Sequence, residues 1–337
     1  MAAHTIIIAE AGVNHNGSLE MALQLIDKAA EAGADYVKFQ TFKASRLVSK
    51  QAKKAQYQKE NMPEVDDSQE AMLSRLELSE SDHKVLMQRC EERNIKFLST
   101  AFDLESVDFL ASLGLNVWKI PSGEITNLPY LRKIAHQGGN IIISTGMCEL
   151  EEVKEAINVF VVEGVNPQNI TLLHCNTQYP TPMDDVNLNA MKELRLLGCG
   201  AVGYSDHTTG IEIPIAAVAM GATVIEKHFT LDNTLPGPDH RASLEPDELS
   251  AMVSAIRNIE KAMGDGRKRV TTSERENIAV ARKSIVAAVE IKQGELLTAQ
   301  NLTVKRPGTG LSPMLWDKVI GTVAVKDFNP DDAITLD

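Results

Sequence analysis

The chain has 337 residues, a formal net charge of −12, 43% hydrophobic residues and 24% charged ones, enough for two ordinary globular domains with full cores. That acidic balance excludes a general nucleic-acid binder, which needs a basic surface to displace phosphate counterions, and a protein held on anionic lipid by charge. Four scattered cysteines, Cys90, Cys148, Cys175 and Cys199, form no C-x-x-C pair, which speaks against a disulfide framework or structural zinc and for a reducing compartment.

The opening stretch MAAHTIIIAEAG has no basic region, and its apolar run stops at Glu10, too short for a signal peptide or a membrane span. A cytoplasmic protein without membrane contact is expected. From that first run onward, short apolar, β-branched segments recur at 5–9, 35–39, 95–99, 115–120, 140–144, 170–174, 200–204 and 222–227. Near-continuous apolar runs suit strands covered on both faces. Helical periodicity occupies 18–32, 68–92, 104–113, 127–136, 149–163, 188–197, 210–219 and 246–263.

Eight strand–helix repeats over residues 1–264 predict a (β/α)8 TIM barrel. A doubly wound sheet is the alternative, but the dinucleotide glycine fingerprint is missing. The oversized connection 43–67, rich in Lys, Gln and Glu, is predicted as a mobile loop over one end. Residues 265–281 read as a polar linker, and 282–337 as a small β-rich domain of short strands broken by turns, with almost no amphipathic helix.

A barrel builds its active site at the C-terminal strand ends, and there this sequence keeps its polar residues. The ends carry Glu10; Lys38 and Gln40; Thr100; Lys119 with Ser122 and Glu124; Thr145; Asn176, Thr177 and Tyr179; Ser205 and His207; and His228. Singly, each would pass as a solvated or satisfied polar group. The repetition at one rim is what indicates a site.

His207 and His228 close neighbouring strands, so two imidazoles would converge to hold a divalent transition metal; otherwise one is a general base and the other structural. Lys38 and Lys119, among short hydroxyls, suit a phosphate or carboxylate, with a barrel-interior ion pair or a Schiff-base lysine as alternatives. Glu10 and Glu124 suit proton transfer or the orientation of a hydroxyl-rich substrate, or else pair with those lysines. Asp239 in a Pro/Gly-rich loop would accept from a sugar hydroxyl, and Arg306 lies in a K-R-P-G turn.

The stretches AEAGVNHNGS, VKFQTFKA, KIPSGEITNLPYL, IISTGM, LLHCNTQYPTP, GYSDHT, IEKHFTLD, GPDH, ARKSI and VKRPGTG run from Ala9 to Gly310. Together they resemble the sialic acid synthase family, the bacterial N-acetylneuraminate synthases and their relatives. The resemblance implies a TIM barrel followed by an antifreeze-like (SAF) domain, and condensation of phosphoenolpyruvate with an N-acetylated mannose-type sugar to give a nonulosonic acid and phosphate. It implies Mn2+, replaceable by Mg2+ or Co2+, on His207 and His228. It also implies a phosphoenolpyruvate cradle of Lys38, Thr100, Lys119, Ser122 and Ser205 with Asn176 or Thr177, sugar contacts from Gln40, Glu124, Tyr179, Asp239 and Arg306, and Glu10 beside the reacting carbons. A domain-swapped homodimer would bring Arg306 into the partner's site.

Ala101 departs from the family's S-T-P-F and is expected to loosen that loop. Within the family, N-acetylneuraminate synthase on N-acetylmannosamine is the first expectation. The N,N'-diacetyllegionaminate synthase, which uses 2,4-diacetamido-2,4,6-trideoxymannose, is the alternative. A non-catalytic carbohydrate- or ice-binding protein is the reading from another class.

Overall fold

The computed structural model describes residues 4–54, 56–61 and 68–337. Eight parallel strands follow one another through the first unit, which ends at Asp265. They are β1 (Ile6–Gly12), β2 (Tyr36–Thr41), β3 (Lys96–Ala101), β4 (Val117–Ile120), β5 (Asn140–Ser144), β6 (Ile170–His174), β7 (Ala201–Asp206) and β8 (Val224–His228). Their order is β3-β2-β1-β8-β7-β6-β5-β4, with first and last strands paired from Ile6↔Val224 to Glu10↔His228. β3 and β4 lie against each other at the remaining seam, which completes a TIM barrel.

The helices form where sequence supplies both an apolar stripe and a start signal. Leu19–Ala32 starts at Ser18, whose hydroxyl accepts from the Met21 amide, and buries Ala22, Leu25, Ile26 and Ala29 against the barrel. Gly33 then ends it at φ 82°, a left-handed turn that glycine makes without penalty. The main core lies between the strands' outer faces and this ring of helices. A smaller cluster of Ile8, Leu98, Ile142, Leu173 and Val224 fills the barrel interior. There Gly203 is obligatory: a Cβ would stand 2.7 Å from a Leu173 methyl and 2.2 Å from the Val224 carbonyl oxygen.

Three segments differ from expectation. The single helix expected over 68–92 is two, Gln69–Ser74 and Glu80–Arg93, because Ser79 and Asp82 form a capping box that starts the second. The connection 43–67 holds short helices at Ala44–Leu47 and Gln56–Asn61, while residues 55 and 62–67 of that expected loop lie outside the described residues. Ala101 is not a loosened position. It is the buried last residue of β3, and its carbonyl accepts from the Tyr130 hydroxyl at 2.7 Å.

The second unit runs from Gly266 to Asp337. The expected linker contains a helix, Arg275–Ala281. Beyond it β9 (Ser284–Ala287) pairs antiparallel with β10 (Leu302–Lys305), and isolated bridges at Val286↔Ala333, Ile291↔Phe328 and Leu296↔Val323 tie down the turns. Ile285, Ile291, Leu297, Val319 and Phe328 make its own small core. Among the described residues no helix is long and apolar enough to cross a membrane.

Candidate active site

Side chains alternate along a strand, so every second residue of a barrel strand points inward. Two residues beyond the interior apolar layer, the same strands present Glu10, Thr100, Ser144 and Glu226, with Lys38, Lys119 and Ser205 beside them. This polar layer is the floor of a cavity of about 510 Å3. All four charged floor residues are almost fully buried.

Burial forces these charges to compensate one another. Lys38 Nζ lies 2.8 Å from Glu10 Oε2 and 3.8 Å from Glu226 Oε2, and donates to Thr100 Oγ1 at 2.9 Å. Lys119 Nζ lies 3.3 Å from Glu226 Oε1, which also accepts from the Ser205 hydroxyl at 3.0 Å. Burial pushes Glu10 up to about 7, with Lys38 opposing and Glu226 assisting. Burial would also raise Glu226, but Lys119 and Lys38 outweigh it and hold that carboxylate ionised. Burial lowers Lys119, only partly offset by Glu226. The floor therefore holds one firmly ionised carboxylate against two lysines, and an anion arriving there would favour the charged form of Lys119 that burial disfavours.

Above the floor stand two histidines with ring centroids 5.3 Å apart. Burial lowers His207 to about 4 and His228 well below its usual value, so both are neutral at physiological pH. The His207 Nδ1 faces the Asn176 carbonyl at 2.5 Å, an atom that only accepts, so Nδ1 carries the proton. Its Nε2 then bears a lone pair and accepts from the Tyr179 hydroxyl at 2.9 Å. A backbone carbonyl holding the far nitrogen is how proteins orient a metal-binding imidazole. His228 Nδ1 is buried with no hydrogen-bond partner among the described residues. Those residues include no group of three or more His, Cys, Asp or Glu that would enclose a metal ion. Two neutral imidazoles fit a divalent ion that completes its coordination with substrate and water oxygens.

Gln40, Ser122, Glu124, Thr177, Tyr179 and Asp239 complete the rim. Ser122 Oγ accepts from the Gly146 amide at 2.9 Å and lies 3.3 Å from Cys175 Sγ. Asp239 is buried, which raises its carboxyl to about 6. Its loop is clamped from the turn after β1. Asn14 Nδ2 donates to the Phe229 carbonyl and to Ser243 Oγ, at 2.8 and 2.9 Å, and Ser243 Oγ donates to the Asp239 carbonyl at 2.7 Å.

Two residues of the barrel unit named from the sequence, Thr145 and Asn176, do not line this cavity. Asn176 turns its side chain back to accept from the Gln178 amide at 2.7 Å, leaving Thr177 as the cavity-lining member of that pair. Arg306 belongs to the second unit, exposed, with Nε donating to the Ala281 carbonyl at 3.0 Å. Sequence reasoning set Glu226 at the end of strand eight but assigned it no role, although the two-residue step from His228 places both on one face of β8. It passed over Cys175, which lines the cavity beside Ser122.

Fold and cavity define a TIM-barrel enzyme with its chemistry gathered at the C-terminal strand ends. The NeuB family model matches residues 25–268 and the SAF domain model matches residues 282–337. The chain belongs to the NeuB family and is an enzyme of the phosphoenolpyruvate-dependent nonulosonic acid synthase type. It is 55% identical to the N,N'-diacetyllegionaminic acid synthase of Campylobacter jejuni over 330 residues, 98% of each chain. It is 49% identical to the enzyme of that name from Legionella pneumophila, over 94% of this chain and 89% of the relative. The crystal structure of an N-acetylneuraminic acid (sialic acid) synthetase from Leptospira borgpetersenii superposes with a TM-score of 0.71 at 36% identity, over 82% of this chain and 90% of that one.

Proposed function

We propose that the chain is an N,N'-diacetyllegionaminate synthase, joining phosphoenolpyruvate to 2,4-diacetamido-2,4,6-trideoxymannose. The observation that carries this is the 55% identity, nearly end to end, with a synthase of that product, against 36% with a sialic acid synthetase. It reverses the order of the two expectations drawn from the sequence, which placed N-acetylneuraminate first.

In this reading the floor binds phosphoenolpyruvate. Lys38 and Lys119 meet its phosphate and carboxylate, with Thr100, Ser122, Thr177 and Ser205 donating hydroxyl hydrogen bonds. Gln40, Glu124, Tyr179 and Asp239 hold the acceptor sugar, joined by Arg306 from the second unit of a partner protomer in a homodimer. His207 and His228 would hold a divalent ion, Mn2+ by preference, which when bound supplies Lewis acidity to the sugar's aldehyde oxygen.

C3 of phosphoenolpyruvate bonds to the aldehyde carbon, leaving C2 electron-poor, and water adds there. The C2–O bond to phosphate then breaks and leaves the ketone. Glu10, which titrates near pH 7, takes one proton from the adding water and returns it to the former aldehyde oxygen. The departing phosphate, held by the lysines in a water-poor site, takes the other from the C2 hydroxyl as the ketone forms. Glu226 keeps both lysines in place between turnovers.

The test is Mn2+-supported phosphate release from phosphoenolpyruvate with each acceptor, with the product's mass recorded. Turnover with 2,4-diacetamido-2,4,6-trideoxymannose at the higher kcat/KM is expected. A higher kcat/KM with N-acetylmannosamine overturns the assignment.

A further inference from the structure

The cavity has two unlike walls. Past β4–β8 it is polar, with Ser122, Glu124, Thr177, Tyr179 and Asp239. Past β1–β3 it is chiefly hydrocarbon, lined by Val13, Leu47, Val48, Met72, Leu73 and Leu76, with Gln40, Gln58 and Gln69 also in its lining. Val13, Met72, Leu73 and Leu76 are buried in a cluster separate from the main core, and Leu47 and Val48 pack on it. This wall is made by chain that follows β1 and β2, so it stands above the charged floor and towards the mouth.

The acceptor's aldehyde must sit low, over the floor and beside the histidine pair. Its other end, C6, therefore reaches upward between the two walls. A hydroxyl turned to Val48, Met72 and Leu73 would give up water and gain no partner from those side chains, whereas a methyl would displace water and pack. Among the described lining residues the positive charges, Lys38 and Lys119, lie on the floor and not on this wall.

The geometry points to Val48, Met72 and Leu73 as the residues that read C6 of the acceptor, seating its methyl group and thereby selecting 6-deoxy over 6-hydroxy sugars. The inference rests on the reading of the reaction given above. It adds the residues that decide the choice, all on the connection between β2 and β3: Val48 from the expected loop, and Met72 and Leu73 from the stretch expected as helix.

The experiment uses the full chain with phosphoenolpyruvate, Mn2+ and two acceptors that differ by one oxygen: 2,4-diacetamido-2,4,6-trideoxymannose and its 6-hydroxy counterpart. The readout is the ratio of their kcat/KM values, in which the folded fraction cancels. A ratio of about 10–100 in favour of the 6-deoxy sugar is expected, the range an apolar pocket achieves against an added hydroxyl. Val48→Thr and Met72→Gln, each nearly isosteric, are expected to move it towards one, chiefly through KM. An equal kcat/KM for both acceptors in the unaltered chain, or a ratio unmoved in both variants, overturns the inference and leaves the reaction standing. No phosphate release with either acceptor overturns the reaction and the inference with it.

Discussion

Ile8 and Glu10, Leu98 and Thr100, Ile142 and Ser144, Val224 and Glu226 are successive inward-facing residues of one strand each, yet they do opposite jobs. The first member of each pair packs in a dry apolar layer. The second faces the cavity in a layer whose charges survive burial only by mutual pairing. Apolar burial contributes about 25 cal/mol per Å2 without regard to direction, whereas a buried ion pair recovers little more than its own desolvation. The lower layer is thus placed for stability and the upper for binding an anion.

The sharpest way to test the site above the upper layer is to remove one of its two histidines. His207→Ala is expected to lower turnover on the order of 10³-fold, since polarisation of the aldehyde by a bound ion is worth several kcal/mol. Mn2+ binding by the purified chain should fall with it. Mixing that variant with Arg306→Ala, itself impaired, should restore part of the turnover if Arg306 acts across a dimer. Retained turnover of His207→Ala in the presence of chelator would remove the metal role, and failure to complement would remove the shared site.

Next in size, Lys119→Met should cost about 10²–10³-fold in kcat/KM. It should also cost about 3–5 kcal/mol of stability, because Glu226 loses its nearest cation. Adding Glu226→Gln should return most of that stability, read by denaturant unfolding, and none of the turnover. A double variant that regains activity would mean the pair is structural only.

In the lower layer the expectation reverses. Leu173→Ala should cost about 2–5 kcal/mol by opening a cavity while activity per folded molecule stays within about twofold, as a direct substrate contact would not. A kcat/KM that falls well beyond the folded fraction would blur the two layers.

The expectation that touches activity least is acid sensitivity. Burial lowers His15 to about 4, from an ordinary value of 6.5. The unfolded chain therefore takes up a proton below 6.5 that the folded chain refuses until about 4, so stability is full above 6.5 and is lost as pH falls through that window. The loss from His15 amounts to about 3 kcal/mol, and His240, lowered to about 4 by burial, acts in the same direction. A flat stability profile between pH 6.5 and 4 would count against both.

Much of this was legible from residue order. β5 and β6 fall where their apolar runs place them, because strands buried on both faces write themselves continuously into sequence. The rim was legible for a related reason, since the apolar run of each strand ends where its polar residue begins. The helices at Ala44–Leu47 and Gln56–Asn61 were not, because four to six residues are too few to show a helical period. The break before Glu80 was readable in Ser79 and Asp82 but was masked by apolar residues on either side. Glu226 was given no role because its importance lies in the distance to Lys119, which is set by barrel curvature and not by spacing along the chain. The choice between Asn176 and Thr177 likewise depended on a turn in which the Asn176 side chain satisfies the Gln178 amide.

The pairing of Lys119 with Glu226 has a consequence for the nascent chain. A ribosome delivers Lys119 more than a hundred residues before the carboxylate that neutralises it. Until β8 docks beside β1, Lys119 has to remain hydrated, and the turn at Asn14 has no Phe229 or Ser243 to grip. Growing chains short of residue 230 would thus lack both a dry interior and a working site, and would present exposed strand edges to their surroundings. Closing the ring finishes the barrel and gathers its floor charges in the same event, and leaves no earlier stage at which a half-made enzyme is partly active.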